Sequence, residues 1–335
     1  NAAFIRERIL HALSWRTRFM ASDKASFRLI YGESDGLPGL IVDVFRGTAA
    51  QGIGSGPNTE TQLWLSMQCL ALGVERKKSE IIAVLRELLQ PAGIVERSEA
   101  TVRELEGLEP FTGIVYGSVP ELIRIAENGY TFEVSLLAGQ KTGWFLDQKE
   151  NRALAAAYAK DSIVLDAFCN AGGFSVNCLK MGARSVTALD SSQPAIDAVR
   201  HNAELNGCGD KLSTVCDNAF DYLRTLKKSS FDMVILDPPA FAKSKSSVQQ
   251  ALKGYKEINL RAMRALKPGG ILASFSCSYW VKRDEFLYML NGAAADAGVR
   301  LRIIRELRQD IDHPVSMGYD ESFYLKGFLV EIQHI

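Results

Sequence analysis

The second half of the chain alternates short apolar runs with amphipathic segments, and this alternation constrains the fold more than any other feature. Strands are predicted near residues 162–167, 185–190, 211–216, 232–237, 270–277, 300–307 and 323–332. Helices are predicted in the gaps; the helix after Asp190 has Ser192 as its N-cap and Asn206-Gly207 at its end. Such repetition predicts an α/β fold, a doubly wound and mostly parallel sheet.

The first part of the chain predicts a separate, smaller α/β domain. A chain of 335 residues exceeds the size at which one core usually keeps growing, so two domains are expected. The predicted boundaries are 1–25 for a basic, helix-like connector, 26–135 for the small domain and 136–335 for the second domain. Within the small domain we predict strands around a turn at 36–39 and at 113–116 and 130–136, helices at 63–72 and 79–89, and a glycine-rich loop at 51–58.

Composition narrows the class of protein. The chain has 47% hydrophobic residues, enough for packed cores, yet no apolar stretch of membrane-spanning length and no signal-peptide pattern at its start. Its six cysteines form no CxxC pair, so neither a zinc site nor a disulfide framework is predicted. A cytoplasmic protein with reduced thiols and no metal is therefore expected.

The charge of the chain is balanced overall and uneven locally. With 39 basic and 39 acidic residues, a polyanionic partner must bind to a local patch rather than to a general field. One patch lies between residues 241 and 267, where seven lysines and arginines accompany a single acid, Glu257. Most charge runs are solvated helix faces. This one follows a strand end directly, so Lys243 and Lys245 are candidate contacts to nucleic acid.

Three acidic residues stand at the predicted ends of successive strands: Asp166, Asp190 and Asp217. Asp166 precedes a glycine-containing turn whose spacing is not the G-x-G-x-x-G of nicotinamide cofactors, and it suits a ligand bearing an amino acid group. Asp190 is placed to accept ribose hydroxyls and Asp217 to accept an adenine amino group. A single acid at a strand end is a helix cap or a solvated loop residue at least as often as it is a ligand contact. Three acids in this order, however, predict S-adenosylmethionine binding. The candidate cofactor contacts on these segments are Asp166, Phe168, Cys169, Asn170, Gly172, Gly173, Asp190, Ser191, Asp217, Asn218 and Ala219.

A carboxylate and a thiol mark the next two strand ends. Asp237 stands before two prolines, which cannot extend a strand ladder and therefore fix a rigid exit from it. Cys277 follows the next apolar run. A lone cysteine is most often a small core residue. At the same sheet edge as Asp237, however, its thiol is a candidate nucleophile for a pyrimidine ring.

These motifs carry a resemblance to a known family. Residues 26–335 resemble the bacterial 23S ribosomal RNA cytosine-5 methyltransferases, in which a small middle domain precedes a Rossmann-like class I methyltransferase domain. The matching segments are 31–43, 139–152, the strand-end motifs, 276–278, 312–314 and 324–328. The resemblance implies a mostly parallel seven-stranded sheet with an antiparallel last strand, S-adenosylmethionine as cofactor and 23S ribosomal RNA as partner. A homodimer is also expected. It also implies an N-terminal PUA-type RNA-binding domain, of which at most the exit is expected here.

The same resemblance implies roles for individual residues. Cys277 would add as a thiolate to C6 of cytosine, and Asp237 would hold the N3 and amino edge of the ring. The base that removes the C5 proton stays unassigned, with water or Asp237 as candidates. Further cofactor or target contacts implied are Phe145, Gln148, Arg152, Asp237 and Pro238, and further RNA contacts are Pro239, Lys141 and Lys326.

Two other functions stay open at this point. A guanine N-methyltransferase acting on ribosomal RNA would share the Asp-Pro-Pro strand end but would need no nucleophilic thiol. A ribosome-assembly factor that binds RNA and holds the cofactor without turnover would incorporate no methyl group. A need for Cys277 in the reaction distinguishes cytosine-5 methylation from guanine N-methylation. Methyl transfer to RNA distinguishes both enzymes from the assembly factor.

Overall fold

The computed structural model describes residues 1–20, 25–50, 60–138 and 142–334, and the chain divides into two compact units. The first unit comprises 1–149 with 310–322, and the second 150–309 with 323–335. The division therefore lies beyond the predicted boundary at 135. One reason is that Trp144 packs on Phe132 at a ring distance of 4.8 Å and donates a hydrogen bond to Glu127. These contacts tie the segment after residue 135 to the first unit.

Residues 310–322 belong to the first unit although they lie far along the chain. The side chain of Asp312 accepts a hydrogen bond of 2.7 Å from the backbone N–H of Arg28, and its carbonyl accepts one of 2.9 Å from Arg16. Arg16 also forms a buried ion pair with Asp35. The sequence prediction of one continuous second domain from residue 136 therefore misses this return of the chain.

The first unit is built on one sheet with helices packed against it. Its elements are α1 (Ala2–Phe19), β1 (Phe27–Tyr31), β2 (Leu40–Ala49), β3 (Gln62–Cys69), α2 (Leu72–Glu75), α3 (Lys78–Leu89), β4 (Gly93–Ser98), α4 (Val102–Leu105), β5 (Phe111–Gly117), β6 (Ile123–Glu127) and β7 (Tyr130–Val134). The strand order is β5-β4-β3-β2-β6-β7, and β1 pairs with β2. The predicted loop at 51–58 lies outside the described residues.

Two expectations for the first unit differ from the structure. Residues 63–72, predicted as a helix, form strand β3, because the segment pairs with β2 on one side and β4 on the other. Both faces of that strand are covered, so buried residues follow one another along it. The alternation of apolar and polar residues that identifies a half-buried strand is therefore hidden. The basic segment predicted as a connector is helix α1, and Ile5 and Ile9 lie in the core of this unit.

The second unit is the predicted doubly wound α/β domain. Its elements, with α5 starting at the division, are α5 (Lys149–Ala156), β8 (Ile163–Ala167), α6 (Gly173–Lys180), β9 (Ser185–Asp190), α7 (Gln193–Leu205), β10 (Leu212–Cys216), α8 (Ala219–Thr225), β11 (Phe231–Leu236), α9 (Val248–Ala265), β12 (Leu266–Ser276), α10 (Arg283–Ala297), β13 (Val299–Arg308) and β14 (Lys326–His334). The strand order is β10-β9-β8-β11-β12-β14-β13.

The strand directions agree with the predicted sheet. Strands β8 to β12 are parallel to one another, and β14 runs antiparallel to both β12 and β13. The fold prediction, a mostly parallel seven-stranded sheet with an antiparallel last strand, is confirmed. Among the described residues, no helix combines the length and apolarity needed to cross a membrane.

Candidate cofactor and substrate site

The strand order of the second unit reverses between β8 and β11. The chain runs from β8 outward through β9 to β10, then returns to β11 and continues through β12 on the other side. Ligands of doubly wound sheets bind outside the carboxyl ends of the strands at such a reversal. The predicted cofactor motifs and the Asp-Pro-Pro motif all follow these strand ends. The structure therefore brings them to one edge of the sheet.

The loop between β8 and α6 has an unusual backbone. Phe168 and Asn170 have positive φ angles of 67° and 46°, and Gly172 has a φ of 85°. Non-glycine residues rarely adopt this region, and such strain is concentrated at functional sites. Asn202 on α7 donates a hydrogen bond of 2.9 Å to the carbonyl of Ala171 and holds the loop in place. The loop is thus a fixed cradle rather than a flexible connection.

Both glycines of this loop are closely packed. A Cβ on Gly172 would lie 2.3 Å from Cγ2 of Val199, and one on Gly173 would lie 2.4 Å from Nε of Arg152. Arg152 is buried, and its guanidinium lies 5.9 Å from the ring of Phe174. Arg152, which the resemblance implies as a cofactor or target contact, therefore lies directly behind the start of α6.

Asp166 is fully buried at the end of β8. Ser175 donates a hydrogen bond of 2.6 Å to Oδ2, whereas Oδ1 has no hydrogen-bond partner among the described residues. Burial raises the pKa of Asp166 to about 7, against the opposing effects of Ser175 and Arg152. A buried carboxylate oxygen without a donor suits a ligand with a cationic amino group. The residues present therefore fit the amino acid moiety of S-adenosylmethionine.

Asp190 connects the two neighbouring strand-end loops. Its Oδ2 accepts a hydrogen bond of 3.0 Å from the backbone N–H of Asn170, and its Oδ1 accepts one of 3.0 Å from Ser192. Its backbone carbonyl accepts a third from the N–H of Asp217. Each carboxylate oxygen can accept more than one hydrogen bond. The Asp190 carboxylate is oriented by the backbone and keeps capacity for hydroxyl donors.

The segment after β10 is more open. Asp217 and Asn218 are exposed, and Ala219 is buried. The side chain of Asn218 accepts a hydrogen bond of 2.9 Å from the N–H of Phe220 and so begins α8. Phe220 packs near Phe241 at a ring distance of 5.7 Å. Polar acceptors beside an apolar wall match the predicted environment of an adenine ring.

Cys277 and the Asp-Pro-Pro motif are neighbours in space. Strands β11 and β12 are adjacent and parallel, with Leu236 paired to Ser274. The Sγ atom of Cys277 lies 3.8 Å from the carbonyl oxygen of Pro238, and Cys277 is half-buried. By contrast, Cys169 is buried, and burial raises its pKa well above the ordinary value. The thiol beside Asp237 is thus partly accessible, unlike the thiol in the cofactor loop.

The residues on both sides of Cys277 are held by a buried hydrogen-bond network. Ser276 donates to the hydroxyl of Tyr255 at 3.0 Å, and that hydroxyl lies 3.0 Å from Oγ of Ser278. Ser278 Oγ also accepts a hydrogen bond of 3.2 Å from the N–H of Ala242. Sequence reasoning missed Tyr255, because its partners are more than twenty positions away and it stands inside a basic run. The network fixes the backbone that carries the thiol.

Only part of the predicted basic patch is left uncompensated. Acids within the patch or from elsewhere in the chain pair with three of its cations: Lys256 with Asp296, Arg261 with Glu257 and Lys267 with Asp232. Lys243 and Lys245, the two predicted RNA contacts, are exposed, and so is Pro239. The net charge counted over residues 241–267 is therefore higher than the net charge of this surface, since two of the acids that pair with the patch lie outside that range.

Four other predicted residues are buried, belong to the first unit or lie outside the described residues. Lys326 is buried, 2% exposed, rather than being a surface contact for RNA, because it opens β14, which lies between β12 and β13 in the sheet. Phe145 and Gln148 belong to the first unit, in which Gln148 is buried. Lys141 lies outside the described residues.

A group of metal-ligand residue types occurs in the first unit. Cys69, Glu75 and Glu96 lie close together in the described part of the chain. Lys78 pairs with both carboxylates, at 2.5 and 3.2 Å, and Arg103 pairs with Glu75 at 3.0 Å. Protein cations already compensate these acids, so the group is an ion-pair cluster.

Comparison with known proteins shows the family of the chain. The model of the S-adenosylmethionine-dependent methyltransferase family matches residues 111–315. The chain is 40% identical to ribosomal RNA large subunit methyltransferase I of Alteromonas mediterranea, over 99% of this chain and 80% of that protein. Its identity to the protein of the same name from Klebsiella pneumoniae is 39%, with the same coverage.

Solved structures share the fold. SMU.776 complexed with SAH has a TM-score of 0.82 at 22% identity, covering 99% of this chain and 82% of that one. Pyrococcus horikoshii TYW2 in complex with MeSAdo has a TM-score of 0.58 at 15% identity, covering 81% and 89%. The chain belongs to the S-adenosylmethionine-dependent methyltransferase family, in the group that contains these ribosomal RNA large subunit methyltransferases I.

Proposed function

We propose that this enzyme forms 5-methylcytosine in the RNA of the large ribosomal subunit, 23S ribosomal RNA. The observation that carries the proposal is the 3.8 Å contact between Sγ of Cys277 and the carbonyl of Pro238, which places a thiol beside the Asp-Pro-Pro strand end. The names of the relatives support the class of substrate. A guanine N-methyltransferase would have no use for this thiol.

The proposed chemistry assigns separate tasks to Cys277 and Asp237. Cytosine C5 is a weak nucleophile, so the thiolate of Cys277 adds to C6 and gives C5 enamine character. Asp237 holds the N3 and amino edge of the ring and stabilises the adduct. Bound S-adenosylmethionine supplies the methyl group to C5. Loss of the C5 proton to a base, with water or Asp237 as candidates, then expels the thiolate and restores the aromatic ring.

Cofactor binding is proposed to rest on the strand-end carboxylates. Asp166 accepts from the amino group, Asp190 from the ribose hydroxyls and Asp217 from the adenine amino group. The backbone of the loop at 168–173 would hold the amino acid moiety, and Arg152 lies behind that loop. Asp166 supports this assignment most directly, because its buried Oδ1 has no donor among the described residues.

The RNA is proposed to approach over the turn that follows Cys277. Tyr279 and Trp280 form an aromatic pair with ring centroids 5.1 Å apart, and Trp280 is 38% exposed. The ammonium of Lys282 lies 4.1 Å from the ring of Tyr279. Exposed aromatic rings with adjacent cations stack unpaired bases and bind the backbone. A target base must leave its stack to reach the thiol, and this pair is suited to hold its neighbours.

The thiol is tested with Cys277→Ser. Serine keeps the size of the side chain but is a far weaker nucleophile, so methylation of unmodified ribosomal RNA should fall on the order of a thousandfold or more. Binding of S-adenosylmethionine should stay unchanged. Transfer of a labelled methyl group to RNA measures the first, and calorimetry the second.

Cys208→Ser is the matched control. Its thiol donates to the carbonyl of Ala203, which a hydroxyl can also do, and it follows α7 on the way into β10. This variant should methylate RNA normally. Retained methylation by Cys277→Ser would remove the adduct mechanism, and N-methylguanine among the digested nucleosides would then establish the guanine alternative. No methylation by the wild-type enzyme would favour the assembly factor.

A further inference from the structure

Lys326 is a buried cation next to the proposed nucleophile. It is the first residue of β14, it pairs in the ladder with Ser276, and it is 2% exposed. Burying an ammonium group is costly unless polar partners or an opposite charge compensate it. The ammonium of Lys326 therefore requires such partners in its surroundings.

The direct partners of Lys326 are backbone carbonyls of the turn that carries Cys277. Its Nζ donates hydrogen bonds of 2.6 Å to the carbonyls of Ser278 and Val281. The carbonyl of Ser278 also accepts a hydrogen bond from the N–H of Val281. The ammonium thus closes the turn immediately after the thiol. Carbonyl dipoles orient the cation but leave its charge uncompensated.

The thiol of Cys277, one residue before Ser278, is the group that most strongly favours the charged form of Lys326. Burial lowers the pKa of Lys326 to about 8, and the interaction with Cys277 is the strongest effect that opposes this decrease. Such an interaction is reciprocal, so the ammonium favours the thiolate as the thiolate favours the ammonium. Other titratable groups around the pair are Tyr255 on α9, Asp237 after β11, and Lys282 and Glu285 at the start of α10.

We propose that Lys326 is a positioning residue that stabilises the thiolate of Cys277 and fixes the turn that presents it. The inference rests on the proposed function, in which this thiolate attacks cytosine. The only chemical change involved is loss of the thiol proton to solvent, with no change in oxidation state. Because Lys326 is buried, its proposed effect on the reaction passes through the turn and the thiol.

The test is the pH dependence of alkylation of Cys277 by iodoacetamide, followed by mass spectrometry of the peptide that contains it, in the absence of RNA. In Lys326→Gln the amide can still donate to a carbonyl, but the charge is gone. The midpoint of the rate–pH curve should rise by about one unit, which makes alkylation about tenfold slower at pH 7. Lys326→Arg should restore the wild-type midpoint.

A purely structural role would give a different result. Tyr255→Phe removes the hydroxyl between Ser276 and Ser278 without changing charge, so it should alter the plateau rate but not the midpoint. An unchanged midpoint in Lys326→Gln would overturn the inference. If that variant does not fold, the wild-type thiol can be compared with the same thiol in urea: a folded midpoint at or above the denatured one would equally overturn it. Because no RNA is present, either result leaves the proposed function to be judged separately by methylation.

Discussion

At the scale of single residues, Asp166 shows how burial prepares a carboxylate for a cationic ligand. Ser175 donates to one oxygen, and the other has no donor among the described residues. Without the cofactor, burial raises the pKa of Asp166 to about 7. The folded state then keeps a proton that the unfolded chain loses near its ordinary value of 3.8. Its contribution to the free energy of unfolding is therefore largest below 3.8 and is lost as pH rises through about 7.

Asp166→Asn should separate stability from binding. The amide is neutral at every pH, so the cofactor-free variant should be at least as stable as the wild type at pH 8, as measured by urea unfolding. Affinity for S-adenosylmethionine should fall about 10- to 100-fold, since a hydrogen bond to a charged group contributes about 1.5–3 kcal/mol. Calorimetry at pH 8 measures this loss. Unchanged affinity would contradict the proposed contact between Asp166 and the amino group.

Residues at strand ends were predictable from the sequence, whereas residues held by distant elements were not. The pattern of predicted strands put Asp166 at the carboxyl end of one strand, β8, and Cys277 at the carboxyl end of another, β12. Because the carboxyl ends of parallel strands lie at the same edge of a sheet, both residues were expected at that edge. The same pattern could not find Tyr255 or the burial of Lys326, since these depend on side chains that approach from α9 and β14. Contacts of this kind follow from tertiary packing and leave no local pattern.

At the scale of elements, the loop between β8 and α6 is held in a strained shape by packing against α7. Gly172→Ala adds a Cβ at a positive φ and 2.3 Å from Val199. Gly207 is a matched control, because its φ of 65° is also positive but nothing lies within 4 Å of an added Cβ. The two alanine variants share the backbone cost and differ in the clash.

Gly172→Ala should therefore lower the free energy of unfolding by about 1–3 kcal/mol more than Gly207→Ala, the usual cost of overpacking. It should also weaken S-adenosylmethionine binding, because the loop must shift. Val199→Ala in the Gly172→Ala background should recover part of both losses, as expected for side chains in contact. Equal unfolding free energies for the two single variants would contradict the packing argument.

The elements that sequence reasoning predicted well are those with a clear local period. The seven strands of the second unit were each predicted within a few residues, because helices separate most of them and cap signals bound segments such as α7. Strand β3 was missed for the opposite reason. It is central in its sheet and buried on both faces, so apolar residues follow one another and imitate a helix.

At the scale of the whole molecule, RNA binding should depend on the cations at one edge of the sheet, where the proposed RNA surface lies, and not on cations elsewhere. Lys243→Ala with Lys245→Ala removes two exposed cations after the Asp-Pro-Pro motif. Affinity for ribosomal RNA should fall, and the slope of log affinity against log salt should become shallower by about one to two, since fewer counterions are released. Filter binding at several salt concentrations measures both.

Lys227→Ala with Lys228→Ala is the control for total charge. These two lysines are exposed and precede β11, so they lie toward the amino ends of the strands. The change in net charge is identical, and only the position differs. Equal losses of RNA affinity in the two double variants would show that general charge, rather than this surface, binds the RNA.

The most direct test of the central claim is trapping on ribosomal RNA that contains 5-fluorocytosine, with S-adenosylmethionine present. Fluorine cannot leave C5 as a proton does, so the adduct should persist as a covalent complex on a denaturing gel, with RNA attached to the peptide that contains Cys277. Cys277→Ser should give no such complex. Methylation of unmodified RNA by the wild-type enzyme, together with no complex on the fluorinated RNA, would contradict the account.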